Sequence, residues 1–203
     1  MLAVERSARF LKAARESCAA KGFNNVRFQE ADLMAAEIDA ENFDAAWCRW
    51  VASFVASPRI LIEKIAKALR PGGVAIFHEY VAYETFRLAP RRLAMEEFVR
   101  KVMESWRAAG GEANIALELP GLLRAAGLEI IHAAPRVFAV RPGEPMWEWP
   151  SSFLEVNLQR LADLGRATPE WCEEARIDFE AATKDPSTIL TTPMVLEIIA
   201  KRG

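Results

Sequence analysis

The chain has 203 residues, of which 52% are hydrophobic and 27% charged. That is enough apolar material for one ordinary domain with a real core, and it excludes a disordered or low-complexity protein. Lys and Arg number 26 against 28 Asp and Glu, a net charge of −2 with no basic stripe, which argues against nucleic acid as a partner.

In chain order, residues 2–5 (Leu-Ala-Val-Glu) read as the end of a buried strand, and Ser7 as the N-cap of a helix over 8–20. Leu11, Ala14 and Cys18 share one face of that helix, and Gly22 closes it. Val26 and Phe28 alternate with polar neighbours in a short strand over 25–29, and residues 43–50 form another strand. Ser57-Pro58 opens a helix with an apolar stripe of Leu61, Ile65 and Leu69. The run Leu69-Arg70-Pro71-Gly72-Gly73 ends it before a buried strand over 74–80. Strand, helix, strand, then strand, helix, strand is the signature of a parallel sheet with covering helices.

The second half is richer in helix. A helix over 91–108 carries Phe98, Val102 and Trp106 on one side. A short helix runs from Pro120 to Gly127, and a strand covers 128–134. Helices follow over about 151–164 and 168–183, the second capped by Thr168-Pro169. A turn at residues 184–187 and a final strand over 194–200 complete the chain, with no repeat or linker to mark a second domain.

Glycine is distributed unevenly. There are 10, but only Gly22 precedes Gly72, so the first third of the chain holds no glycine-rich loop. Cys18, Cys48 and Cys172 are widely spaced and odd in number, and the only histidines are His78 and His132. No disulfide framework or metal site is expected; buried thiols in a reducing cytoplasm are. No apolar run spans a membrane, and the N-terminus lacks the basic-then-apolar order of a signal peptide.

Five segments, in this order and spacing, carry a resemblance: Ala3-Val4-Glu5-Arg6-Ser7; Asn25 to Leu33 with Asp32; Phe43-Asp44 through Arg49; Leu69-Arg70-Pro71-Gly72-Gly73; and Leu119 to Gly127 followed by Leu128-Glu129-Ile130. Together they resemble the class I, Rossmann-like S-adenosylmethionine-dependent methyltransferases of small molecules. The resemblance covers residues 2–134 well and 188–202 weakly. It implies an α/β three-layer sandwich whose mostly parallel sheet has an antiparallel last strand. It also implies a single domain over 1–203, with 83–117 as a lid segment and 144–187 as a helical insertion covering the substrate.

The family opens on a central strand and a GxGxG loop, and neither is present here. The expectation is therefore an N-terminally incomplete fold with exposed strand edges, a piece of a longer protein. The rival is a short, degenerate protein that holds the cofactor poorly.

The resemblance also implies roles. Glu5 would accept hydrogen bonds from the cofactor ribose, as acids do in dinucleotide folds, or else simply favour a helix N-terminus. Arg6 would lie against the adenine, and Asp32 with the backbone of Leu33 would seat its amino group and ring; a surface arginine and a turn aspartate are the plainer readings. Arg49 and Trp50 end the strand that faces the ligand crevice, where Trp50 offers an aromatic face to the sulfonium or serves as core. His78, Glu79 and Tyr80 are the candidate catalytic residues, a general base being needed only for an acceptor that carries a proton. Strand alternation forbids all three from facing one site. Tyr83, Phe86 and Trp147 would line the substrate pocket, although a dimer contact is the alternative for the cluster Trp147-Glu148-Trp149-Pro150.

The function implied is methyl transfer from S-adenosyl-L-methionine to a small-molecule acceptor, without a metal, nucleic acid or membrane. Two alternatives stand beside it. One is a non-catalytic binding or scaffold protein of methyltransferase descent. The other, weaker, is an NAD-dependent oxidoreductase using Glu5 on a ribose.

Overall fold

The computed structural model describes residues 1–38 and 41–203. Strand β1 (Leu2–Glu5), helix α1 (Ala8–Ala20) and strand β2 (Arg27–Glu30) form the first unit, in which β1 and β2 pair in parallel. The Ser7 hydroxyl accepts from the Phe10 amide and caps α1, and Leu11 is its one buried side chain. Lys64 fastens the chain after β2 to the rest of the molecule, donating to the carbonyls of Leu33 and Ala36 at 2.8 and 2.5 Å.

Strand β3 (Phe43–Arg49), helix α2 (Pro58–Ala68) and strand β4 (Leu69–Ala82) follow. Ser57 makes no side-chain cap bond, contrary to expectation; Pro58 at the first position, whose fixed φ suits a helix start, opens α2 without one. Strand β4 also begins earlier than predicted. Phe43 pairs with Leu69, and the register then shifts so that Ala45 pairs with Val74. The intervening run is a tight fold-back: a Cβ on Gly73 would lie 2.9 Å from the carbonyl oxygens of Phe43 and Arg70, so only glycine fits. Asp44 holds the Arg70 guanidinium at 2.7 Å across the same turn.

Strand β5 (Arg87–Ala89), helix α3 (Leu93–Ala108), helix α4 (Leu119–Ala125), strand β6 (Leu128–Arg136) and strand β7 (Ala139–Val140) come next. Helix α5 (Glu148–Asp163), helix α6 (Pro169–Lys184), strand β8 (Ile189–Thr191) and strand β9 (Met194–Arg202) end the chain. Thr168 caps α6 as predicted, accepting from the Trp171 amide.

Among the described residues the strands make three sheets. Four form the main sheet in the order β3-β4-β9-β6, with β9 antiparallel to both neighbours, as expected of the last strand. The β1-β2 pair is a separate sheet, so among the described residues β1 and β3 each keep an unpaired edge. A third sheet, β5-β8-β7, was not foreseen; strands of two or three residues carry too little periodicity to read.

Two hydrophobic clusters hold the molecule together. One lies between the main sheet and helices α2 and α4, with Cys48, Leu61, Phe77, Leu123 and Ile198 at its centre. The other unites helices α3, α5 and α6 through Phe98, Val102, Leu158 and Phe179. Tyr80, near the end of β4, belongs to the second.

Candidate functional site

Strands β1, β2 and β3 end at Glu5, Glu30 and Arg49, and in open α/β sheets ligands bind beyond such carboxyl ends. Glu5 is half-buried, and its Oε1 accepts from the Ser7 amide at 2.8 Å, which orients the carboxylate beside the start of α1. Arg6 is exposed. The Ala31 amide donates to the Glu5 carbonyl, so the chain entering Asp32 is tied directly to the end of β1. Asp32 is exposed and folds an Asx turn, its Oδ1 accepting from the Met34 amide at 2.8 Å; Leu33 is half-buried.

The second group stands at the end of β3. Trp50 adopts φ 53°, the left-handed region that a bulky residue seldom enters. Its ring is stacked on Tyr80 (5.7 Å, 12°) and on Trp149 (5.6 Å, 6°), while the Arg49 guanidinium sits 4.1 Å from its centroid. The indole Nε1 is buried and has no hydrogen-bond partner among the described residues.

Alternation along β4 separates the three candidate catalytic residues. His78 lies opposite Glu197 across the β4-β9 pair, with Nε2 3.2 Å from Glu197 Oε2. The other oxygen of Glu197 receives Arg136 at 2.9 Å and His132 Nε2 at 3.3 Å, so both histidines of the chain meet on one carboxylate. The Arg136 hydrogen bond holds the Glu197 carboxyl below the usual carboxylate range. Trp47, 64% exposed on the unpaired edge of β3, meets the His78 ring edge-on at 6.1 Å.

Glu79 points to the other face, where it is fully buried. Its Oε1 accepts from the amides of Val51 and Ala52, both at 2.9 Å, and its Oε2 from the Ser53 hydroxyl at 3.0 Å. Burial nevertheless pushes this carboxyl above its ordinary range, and pushes the thiol of adjacent Cys48 up as well. Tyr80 is buried in the aromatic cluster, and burial raises its phenol.

Tyr83, Phe86 and Trp147 are all nearly inaccessible. They pack into the second hydrophobic cluster: Tyr83 edge-on to Tyr80 and Phe86, Trp147 stacked on Phe179. Phe86 also borders a cavity of about 660 Å³ beside α3, whose wall includes Glu84, Arg87, Glu96 and Arg100. No residue predicted to hold cofactor borders that cavity.

The structure thus brings Arg49, Trp50 and Tyr80 into contact, and joins Glu5 to the Asp32 turn through the backbone. Glu197 was not singled out from the sequence, and Trp149 only as part of the cluster at 147–150. Glu197 had a signal, a lone charge within the apolar run of β9; Trp149 had only its neighbours in an aromatic run.

Comparison with known proteins agrees with this architecture. Residues 1–77 match the methyltransferase domain family. No curated protein matches the chain. Among solved structures, a Bacillus halodurans protein provisionally named a methyltransferase superposes with a TM-score of 0.62 at 16% identity, over 99% of this chain and 82% of that one. The cyclase SpnF gives 0.58 at 20% identity, over 99% and 66% of the two chains. Geranyl diphosphate methyltransferase in complex with S-adenosylmethionine gives 0.53 at 13% identity, over 100% and 68%. The chain has the fold of these methyltransferase structures, and its first 77 residues match the methyltransferase domain family.

Proposed function

We propose that the protein transfers the methyl group of S-adenosylmethionine to a small-molecule acceptor. The observation that carries the reading is the set of groups at or just beyond the carboxyl ends of strands β1, β2 and β3, Glu5, Asp32 and Trp50, within the segment matched to methyltransferases. The residues suit such a cofactor. Glu5 retains an oxygen without a partner among the described residues, as ribose hydroxyls require, and the buried Trp50 Nε1–H lacks an acceptor. The family match favours this cofactor over a nicotinamide dinucleotide at the same acid.

When bound, S-adenosylmethionine supplies a methyl group already made electrophilic by its sulfonium. The protein's part is then to hold and align. Glu5 binds the ribose, Asp32 and Leu33 seat the adenine, and Arg49 with Trp50 closes the edge at β3. Tyr80 supports the Trp50 ring from below. A small, fairly apolar acceptor would enter under the aromatic lid. That a fold neighbour is a geranyl diphosphate methyltransferase supports a small-molecule acceptor.

Binding without transfer is the second reading, favoured by the sheet division that leaves Glu5 and Trp50 on separate sheets. Calorimetry with S-adenosylmethionine and S-adenosylhomocysteine tests the first requirement of both. Micromolar binding is expected, and absence of heat with either compound at millimolar concentration overturns the cofactor assignment. Methyl transfer to a panel of small acceptors then separates the two readings.

A further inference from the structure

We propose that Glu79 is a positioning residue: its buried carboxylate holds the turn after β3, and through that turn the ring of Trp50, at the ligand edge. The role as stated at a ligand edge rests on the proposed function; the role of holding Trp50 rests on the geometry alone.

Three successive amides bind two successive residues of β4. Trp50 N–H donates to the His78 carbonyl at 3.1 Å, and the amides of Val51 and Ala52 donate to Glu79 Oε1. The Ser53 hydroxyl completes the set on Oε2. From the other side, Glu112 N–H donates to the Ser53 carbonyl at 3.1 Å. Every residue from 50 to 53 is therefore pinned. A strained backbone persists only where its surroundings over-determine it, and Trp50 at φ 53° is such a case. Without an acceptor at position 79, the buried amide of Ala52 and the part-buried amide of Val51 would lose their partner, and the turn could release Trp50 to an ordinary conformation.

Glu79 is poorly placed to act on a ligand itself. Both oxygens are engaged, no part of the side chain reaches solvent, and it shares the face of β4 that carries Phe77. Its influence passes through the chain it holds. The bonding pattern separates this role from proton transfer. Both amides use Oε1, so the carbonyl of a glutamine keeps them, and its amide group can donate to the Ser53 oxygen.

The test compares Glu79→Gln with Glu79→Met, which keeps the volume and removes the acceptor. Near-UV circular dichroism of the full chain reports the Trp50 stack, with Trp50→Phe marking its loss. Calorimetry with S-adenosylhomocysteine reports the edge. Glu79→Gln should retain the Trp50 signal and bind within about threefold of the parent, whereas Glu79→Met should lose the signal and bind at least about tenfold more weakly. A wild-type signal in folded Glu79→Met overturns the proposal, as does a folded Glu79→Gln that fails like Glu79→Met. Should Glu79→Met not fold, hydrogen exchange in the parent decides: protected amides at Val51 and Ala52 support the clamp, and exchange at unprotected rates overturns it. If the parent binds no S-adenosylhomocysteine, the functional reading fails while the dichroism and exchange still judge Glu79.

Discussion

Trp149, in the first turn of α5, lies parallel to Trp50 with ring centroids 5.6 Å apart. Phe86 stacks on the far end of this pair at 6.3 Å from Trp149, and Tyr80 on Trp50. The rings form a continuous row from the end of β4, through the end of β3, to helix α5. Helix α5 therefore does more than pack on α6. Its position is communicated to the residue that stands where the ligand is proposed to bind.

Replacing Trp149 by Ala should consequently act at two places. Loss of a half-buried ring and its stacking should destabilise the fold by about 1–3 kcal/mol, measurable by urea unfolding. The same variant should alter the near-UV signal of Trp50 although Trp50 itself is unchanged. An unaltered signal and midpoint would show that the row is not formed in solution.

Glu5 joins local structure to the proposed cofactor. Its bond to the Ser7 amide supports the start of α1, so Glu5→Ala should cost about 1 kcal/mol of stability. If the carboxylate also binds the ribose, S-adenosylhomocysteine affinity should fall by about tenfold or more, beyond what reduced stability explains. Calorimetry on folded protein separates the two effects, and an unchanged affinity would remove Glu5 from the site.

Much of this arrangement was legible in the sequence. The α1 boundaries follow from Ser7 and Gly22, and the carboxyl-edge residues follow from strand order. The unread parts depend on distant register. That His78 would face Glu197, and Glu79 the turn at Val51, is decided by pairings 119 and 28 residues away in sequence. Periodicity says that neighbours on β4 point oppositely, but not which face meets the lid. Tyr83, Phe86 and Trp147 show the same limit. Aromatic residues suit both a pocket wall and a core, and here contacts with Tyr80 and Phe179 bury them.

The pH dependence of stability offers a test of the buried Glu79 carboxyl. Its pKa is raised in the folded state, chiefly by burial, from an ordinary value of 4.5. Such a group favours the folded state fully below that ordinary value, and the advantage is lost as pH rises through the folded value. Gln does not titrate. The stability of Glu79→Gln relative to the parent should therefore improve steadily from about pH 4.5 upward. Urea unfolding across pH 4 to 8 measures it, and a difference that stays flat or reverses would mean that the carboxyl is not desolvated as described.

Gly111 presses on the same turn from the lid side. A Cβ built there would lie 2.4 Å from the Ser53 carbonyl oxygen, a backbone atom with little freedom to move because Glu79 holds its residue from below. Gly111→Ala should destabilise the protein by about 1–3 kcal/mol through overpacking and should disturb the Trp50 signal. Gly121 is the control: it lies within α4, and nothing stands within 4 Å of its added Cβ. Gly121→Ala should instead stabilise by about 0.5–1 kcal/mol through helix propensity, leaving Trp50 untouched. Opposite shifts in thermal midpoint are expected from the same chemical change. Equal shifts would show that the close approach of Gly111 to Ser53 does not constrain the turn.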